Sequence, residues 1–216
     1  YFAIWLSRSL RLDLAMILGY VLGGSILTKT PGLINLLILP VSILSFSREK
    51  GKKYKLINLM IFWAIAIGIA LIMYNGLRLG PQFQNLSARN SDYVFSPQEL
   101  SGRPLDPFIP HFGDITDWFP KLLTWPILFS VIIGVVYIII GLIRRSSVLL
   151  PAAVILLWAL IPLILNMAFL KTFTARYLLS SIPLLLIIGG FGVTKLLPRL
   201  AYIKRFPVIL MLIVLL

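Results

Sequence analysis

Apolar residues in this chain fill long blocks, at 12–28, 33–46, 56–74, 125–143, 148–169 and 177–194, and another block starts near 207. About 20 apolar residues in a helix cross the hydrocarbon core of a bilayer, where only helices and closed barrels satisfy every backbone polar group. The pattern predicts an all-α, polytopic transmembrane helix bundle of about seven spans. One long polar connection, 75–124, rich in Pro, Asn, Ser, Asp and Gly, interrupts the blocks and reads as the single extramembrane module. The chain divides accordingly into 1–74 with three spans, the connection 75–124, and 125–216 with four more, the last of them cut short. It opens on Tyr1 and stops inside an apolar block at Leu216, which reads as part of a longer protein whose native start is missing.

Charge orients the bundle. With spans alternating in direction, one set of connections holds Arg8, Arg11, Arg48, Lys50, Lys52, Lys53 and Lys55, then Arg144, Arg145, Lys195, Arg199, Lys204 and Arg205. Those are 13 of the 20 basic residues, and the other set holds only Lys29, Arg78, Arg89, Arg103, Lys121, Lys171 and Arg176. Basic residues concentrate in cytoplasmic connections, which places the loop 47–55 inside and the connection 75–124 outside. Five of the seven acids, Asp92, Glu99, Asp106, Asp114 and Asp117, fall outside by the same alternation. The net charge of +13 is thus accounted for by topology and attraction to anionic lipid, and a nucleic-acid partner is not called for. Trp5, Trp118, Trp125, Tyr74 and Tyr177 fall near predicted span ends, where amphipathic rings anchor at the headgroups.

Composition agrees with the pattern. Hydrophobic residues make up 59% of the 216 and charged residues 12%, about half the share of a soluble domain. There is no cysteine, hence no disulfide, thiolate metal site or thiol nucleophile in this sequence. No ionisable residue lies in the middle of a predicted span, which weighs against an ion-coupled pump or transporter.

Candidate chemistry gathers at the outer ends of the spans. In Thr28-Lys29-Thr30-Pro31-Gly32, Thr30 reads as an N-cap and Pro31 as the first helical residue, so that a helix N-terminus beside Lys29 would suit an anion. A capped turn whose lysine snorkels to the headgroups is the plain alternative. In Lys171-Thr172-Phe173-Thr174-Ala175-Arg176-Tyr177, Arg176 precedes the sixth span, and a phosphate would resolve the conflict between a cation and the helix dipole there. A lipid headgroup or a loop carboxylate would serve equally well. The long connection adds Arg89, Asp92, Asp106, Asp114, Asp117 and His111, the last being the only histidine and expected at the surface. No His-based metal cluster can form and no cofactor is evident, a divalent metal staying open.

Two stretches resemble a known family. Gly19-Tyr20-Val21-Leu22-Gly23-Gly24-Ser25-Ile26-Leu27-Thr28-Lys29-Thr30-Pro31-Gly32 resembles the small-residue helix and Thr-Lys-x-Pro-Gly-like turn of bacterial dolichyl-phosphate-mannose-protein mannosyltransferase-like enzymes, and Thr174-Ala175-Arg176-Tyr177-Leu178-Leu179 with Pro183 is similar to their late Arg-Tyr-Leu element. The resemblance implies the C-terminal part of a GT-C glycosyltransferase in the plasma (inner) membrane of the cell envelope. It would transfer a sugar from a polyprenyl-phosphate donor to a lipid, glycan or protein acceptor on the outer face. It further implies that Lys29, Arg176, Tyr177 and Thr30 hold the donor phosphate, that Arg89, Asp92, Asp106 and His111 shape the sugar and acceptor site, and that the catalytic base lies upstream of Tyr1. A transporter or flippase of lipid-linked sugars, or a non-catalytic membrane scaffold, would also gather cations and aromatic rings at that surface.

Overall fold

Helices α2, Leu12–Thr28, and α4, Lys53–Gly76, form because their blocks are apolar on nearly every side and carry no proline. They pack side by side through glycine. A methyl group placed on Gly19 would meet the Ile69 side chain and the Ala66 carbonyl, and one on Gly23 would meet Met73. Residues four apart on α2 thus meet residues four apart on α4 in the same order, so the two helices run parallel at close range, as small-residue faces allow. Helix α1, Phe2–Ser9, turns at Leu10 (φ 50°) and closes this layer, burying Ala3 and Leu6 against α2 and Leu39.

The computed structural model describes residues 1–46, 53–103 and 105–200, and apart from one isolated bridge its regular elements are helical. Three helical stretches, Lys55–Leu79, Phe108–Ile143 and Ser147–Phe169, are long and apolar enough to cross a membrane, which identifies a membrane protein. Leu12–Thr28, Leu33–Ser45 and Ile182–Leu196 are apolar but shorter. The block expected to begin near 207 lies outside the described residues, as does 47–52 of the basic loop.

The second predicted span departs from a plain helix. Helix α3, Leu33–Ile38, gives way to a 3-10 segment over Leu39–Ser45, because Pro40 removes an N–H and crowds the preceding turn. The polar connection departs further. Expected as a loop, it contains α5, Phe83–Tyr93, α6, Pro97–Gly102, and the first half of α7, Phe108–Ile143. Ser96 starts α6 with a reciprocal cap: its hydroxyl accepts from the Glu99 N–H at 3.2 Å, and its own N–H donates to Glu99 Oε2 at 2.6 Å.

Helix α7 is two helices meeting at Thr124, whose φ of 58° and ψ of 157° lie outside the helical region. Pro126 and the restricted residue before it stop the upstream helix from running on, and the predicted span begins just beyond, at Trp125. Helices α8, Leu150–Phe169, and α9, Ile182–Leu200, complete a second layer, where Val131 and Ile138 of α7 pack with Ala153, Ala159 and Ile188. Close approach here again needs glycine, since a methyl on Gly134 would enter the Ile188 carbonyl and one on Gly192 the Ser130 carbonyl. Helix α9 starts five residues later than the apolar block predicts. Ala175–Tyr177 forms a 3-10 turn, and the buried Ser181 hydroxyl donates to the Ala159 carbonyl at 2.7 Å before the helix opens.

Candidate functional site

The turn after α2 and the turn before α9 meet. Lys29 caps the C-terminal end of α2, where its N–H donates to the Ser25 carbonyl at 3.2 Å and the chain bends into Thr30–Gly32. Gly32 lets that bend lie against the helix it has just left, because a β-carbon there would strike the Ser25 carbonyl. Lys29 Nζ consequently sits 3.9 Å from the centroid of the Tyr177 ring, and Arg176 Cζ lies 5.5 Å from the same centroid. A cation over an aromatic face is drawn to the ring quadrupole.

Tyr177 itself is only 7% exposed. It stacks on Phe173 at 5.9 Å, and Phe173 also stacks on Trp118 at 5.7 Å and leans on His111 at 5.0 Å. The His111 ring is 8% exposed, and its Nδ1 lies 2.8 Å from the Met167 carbonyl oxygen. This joins the first half of α7 to the end of α8. An aromatic column therefore rises from His111 through Phe173 to Tyr177, with two cations at its upper end. Thr174 Oγ1 is buried beside it and has no hydrogen-bond partner among the described residues.

Among the described residues, three cations of the outer connections are paired with carboxylates, and Lys29 and Arg176 are not, a condition they share with Arg78. Arg103 pairs with Asp106 at 3.5 Å, Lys121 with Asp117 at 2.6 Å and Lys171 with Glu99 at 3.2 Å. Among the described residues, neither Lys29 nor Arg176 pairs with a carboxylate. Partial burial first, and then the like charge of Arg176, lower the Lys29 pKa from its ordinary value. The Glu99 pKa is lowered as well, which for a carboxyl favours the charged form: the Ser96 N–H and hydroxyl, then Lys171, hold it below the usual range.

Several sequence expectations need correction. Thr30 is not an N-cap: the turn 30–32 is 3-10, and α3 starts after Gly32 with no side-chain cap. The helix-dipole argument for Lys29 falls with it, because α3 is only six residues long. Arg176 likewise sits in a 3-10 turn, and α9 begins at Ile182. Tyr177 is covered by Phe173 and Lys29, which removes it from the lipid anchors, and His111 is buried because its ring has both a stacking partner and a carbonyl to bind. Asp106 is taken up by Arg103, Asp92 is exposed on α5, and the Arg89 side chain lies outside the described residues.

Phe173, the centre of the column, was the residue whose role the sequence hid, since one Phe in a mixed turn carries no periodic signal. The Glu99 cap was missed as well, although Ser96-Pro97-Gln98-Glu99 carries the capping-box spacing. A strap follows from it: the Phe95 N–H donates to the Phe169 carbonyl and the Lys171 N–H to the Tyr93 carbonyl, each at 2.8 Å, so that Val94 and Leu170 face each other as a two-bond bridge. Among the described residues no three His, Asp or Glu side chains converge as metal ligands would. No protein-family model, curated protein or solved structure matches the chain.

Proposed function

We propose that this chain is part of a GT-C membrane glycosyltransferase, in which Lys29 and Arg176 hold the phosphate of a polyprenyl-phosphate sugar donor. The observation that carries the reading is two cations brought to one buried tyrosine with no carboxylate between them. Like charges held beside one ring repel even though both side chains are exposed, and an anion with several oxygens relieves both at once. The ammonium supplies a compact charge and the guanidinium a planar fork, a combination suited to a phosphate monoester or diester. In the transfer, the acceptor oxygen forms a bond to the anomeric carbon as the bond from that carbon to the phosphate oxygen breaks. The acceptor proton passes to a base not assigned to any residue here. Lys29 and Arg176 would stabilise the departing lipid phosphate, whose charge grows as the bond breaks.

The distribution of basic residues supports an active face outside the cytoplasm in the plasma membrane, with Thr30 and the connection 75–124 bordering the site. The acceptor, a lipid, glycan or protein hydroxyl, would approach from the same side. The test uses the complete protein in liposomes with a radiolabelled polyprenyl-phosphate sugar. Lys29→Ala and Arg176→Ala should each weaken polyprenyl-phosphate binding and lower transfer about tenfold or more, the loss expected of a charge-assisted hydrogen bond. Unchanged binding and transfer in both variants would refute the assignment. Movement of labelled carrier across the bilayer without sugar transfer would make the protein a transporter.

A further inference from the structure

The first half of α7, from Phe108 to Leu123, has three sides, and each is suited to a different medium. One side meets protein: His111 reaches the Met167 carbonyl, Ile115 packs with Leu163 and Met167, and Trp118 lies on Phe173. A second side gathers the charges, Asp114, Asp117 and Lys121, with Asp106 just ahead of the helix and Asp117 bound to Lys121 at 2.6 Å. On the third side Ile109 and Phe112 are 64% and 55% exposed, and Leu105, one turn ahead, is 61% exposed. At the helical angle per residue, Ile109, Phe112 and Thr116 share a sector of about 60°, set apart from the charges. The division ends just before the joint, where Leu123 is buried although it falls in that sector and Leu122 is 45% exposed although it falls on the protein-facing side.

We propose that this half of α7 is a bilayer-surface helix, lying along the headgroup boundary with Leu105, Ile109 and Phe112 in the upper acyl region and its acids in water. The occupant of the apolar side is lipid because the chain goes straight on into the span: past Thr124 exposed apolar residues follow at Trp125, Phe129 and Ile132 of the membrane-crossing half. Helices that lie in the interface have this division between a lipid side and a charged side. The charged side here is predominantly acidic, so attraction to anionic headgroups plays no part and apolar contact must hold the helix down. The break at Thr124 is what allows a span and a surface helix to follow one another without a loop. This placement is independent of the transferase reading.

These 216 residues have no cysteine, so with any cysteines elsewhere in the complete protein changed to serine a single introduced thiol carries a fluorophore at one known place. We would label Ile109→Cys, Phe112→Cys and, for the charged side, Asp114→Cys, in the complete protein reconstituted in phosphatidylcholine vesicles with and without phosphatidylglycerol. Labels at 109 and 112 should be quenched severalfold more than the label at 114 by lipids bearing a nitroxide near the headgroup. A nitroxide near the bilayer centre should quench them less, and phosphatidylglycerol should change neither result. Equal quenching at all three sites would overturn the proposal, as would strongest quenching from the bilayer centre. Labels at 109 and 112 shielded from both lipid-borne and aqueous quenchers would assign this side to a protein partner instead.

Discussion

Lys29 and Arg176 crowd one phenol ring, and this makes their protonation part of any binding event there. Burial and the neighbouring guanidinium favour the neutral form of Lys29, so between its lowered pKa and the ordinary lysine value the unfolded chain holds more protons than the folded one. The empty protein therefore gains stability as pH rises through that window. A bound anion does the reverse, since it favours the ammonium. Polyprenyl-phosphate affinity should fall as pH rises through the lowered pKa, with Lys29→Arg flattening the profile, and equilibrium binding from neutral to alkaline pH measures it. Thr124 offers a second single-residue test. Its φ of 58° with ψ of 157° belongs to a region that glycine adopts freely and a β-branched residue does not. Thr124→Gly should raise the unfolding free energy by about 1 kcal/mol, the relieved strain less glycine's added freedom in the unfolded chain, read as a higher melting temperature in detergent.

At the scale of elements, the pairing of α2 with α4 depends on where glycine falls rather than on how apolar the helices are. Gly19 and Gly23 face α4, whereas Gly24 faces open space. Gly23→Leu should cost about 1–3 kcal/mol of stability by wedging the helices apart at Met73, while Gly24→Leu should leave the melting temperature nearly unchanged. The Gly19-x-x-x-Gly23 spacing was visible in the sequence, and so were the apolar blocks, because a bilayer offers the backbone few alternatives to a helix. The helices of the connection 75–124 were not visible. Its Pro107, Pro110, Gly113 and Pro120 read as turn punctuation, yet Pro107 stands at a helix start, Pro110 falls in a first turn, and tertiary contacts through His111 and Trp118 carry the remainder. The start of α9 was misplaced for a related reason: Tyr177 and Leu178 are apolar to suit the aromatic column beneath them, not to extend a span.

Across the molecule, the alternation of helices brings Lys29, Lys171 and Arg176 to one end, while Arg144 and Arg145, in the connection after α7, and Lys195, in the later part of α9, belong to the other. The sequence placed Lys29 and Arg176 on a common side by counting spans, and their meeting at Tyr177 agrees with that count over the described helices. What counting could not supply was the means of contact. Side chains 148 positions apart in sequence meet because Gly32 folds one turn tightly and Phe173 supports the other, and neither residue belongs to a charge pattern.

The interruption at Thr124 also has a mechanical side. An unbroken helix would convey every lean of the membrane-crossing half of α7 straight to its upper half, and a span leans further as the surrounding lipid thins. A joint whose backbone leaves the helical region at Thr124 would absorb that rotation, leaving the His111 and Trp118 supports, and the ring above them, in register while the span adjusts to the thickness of its host membrane.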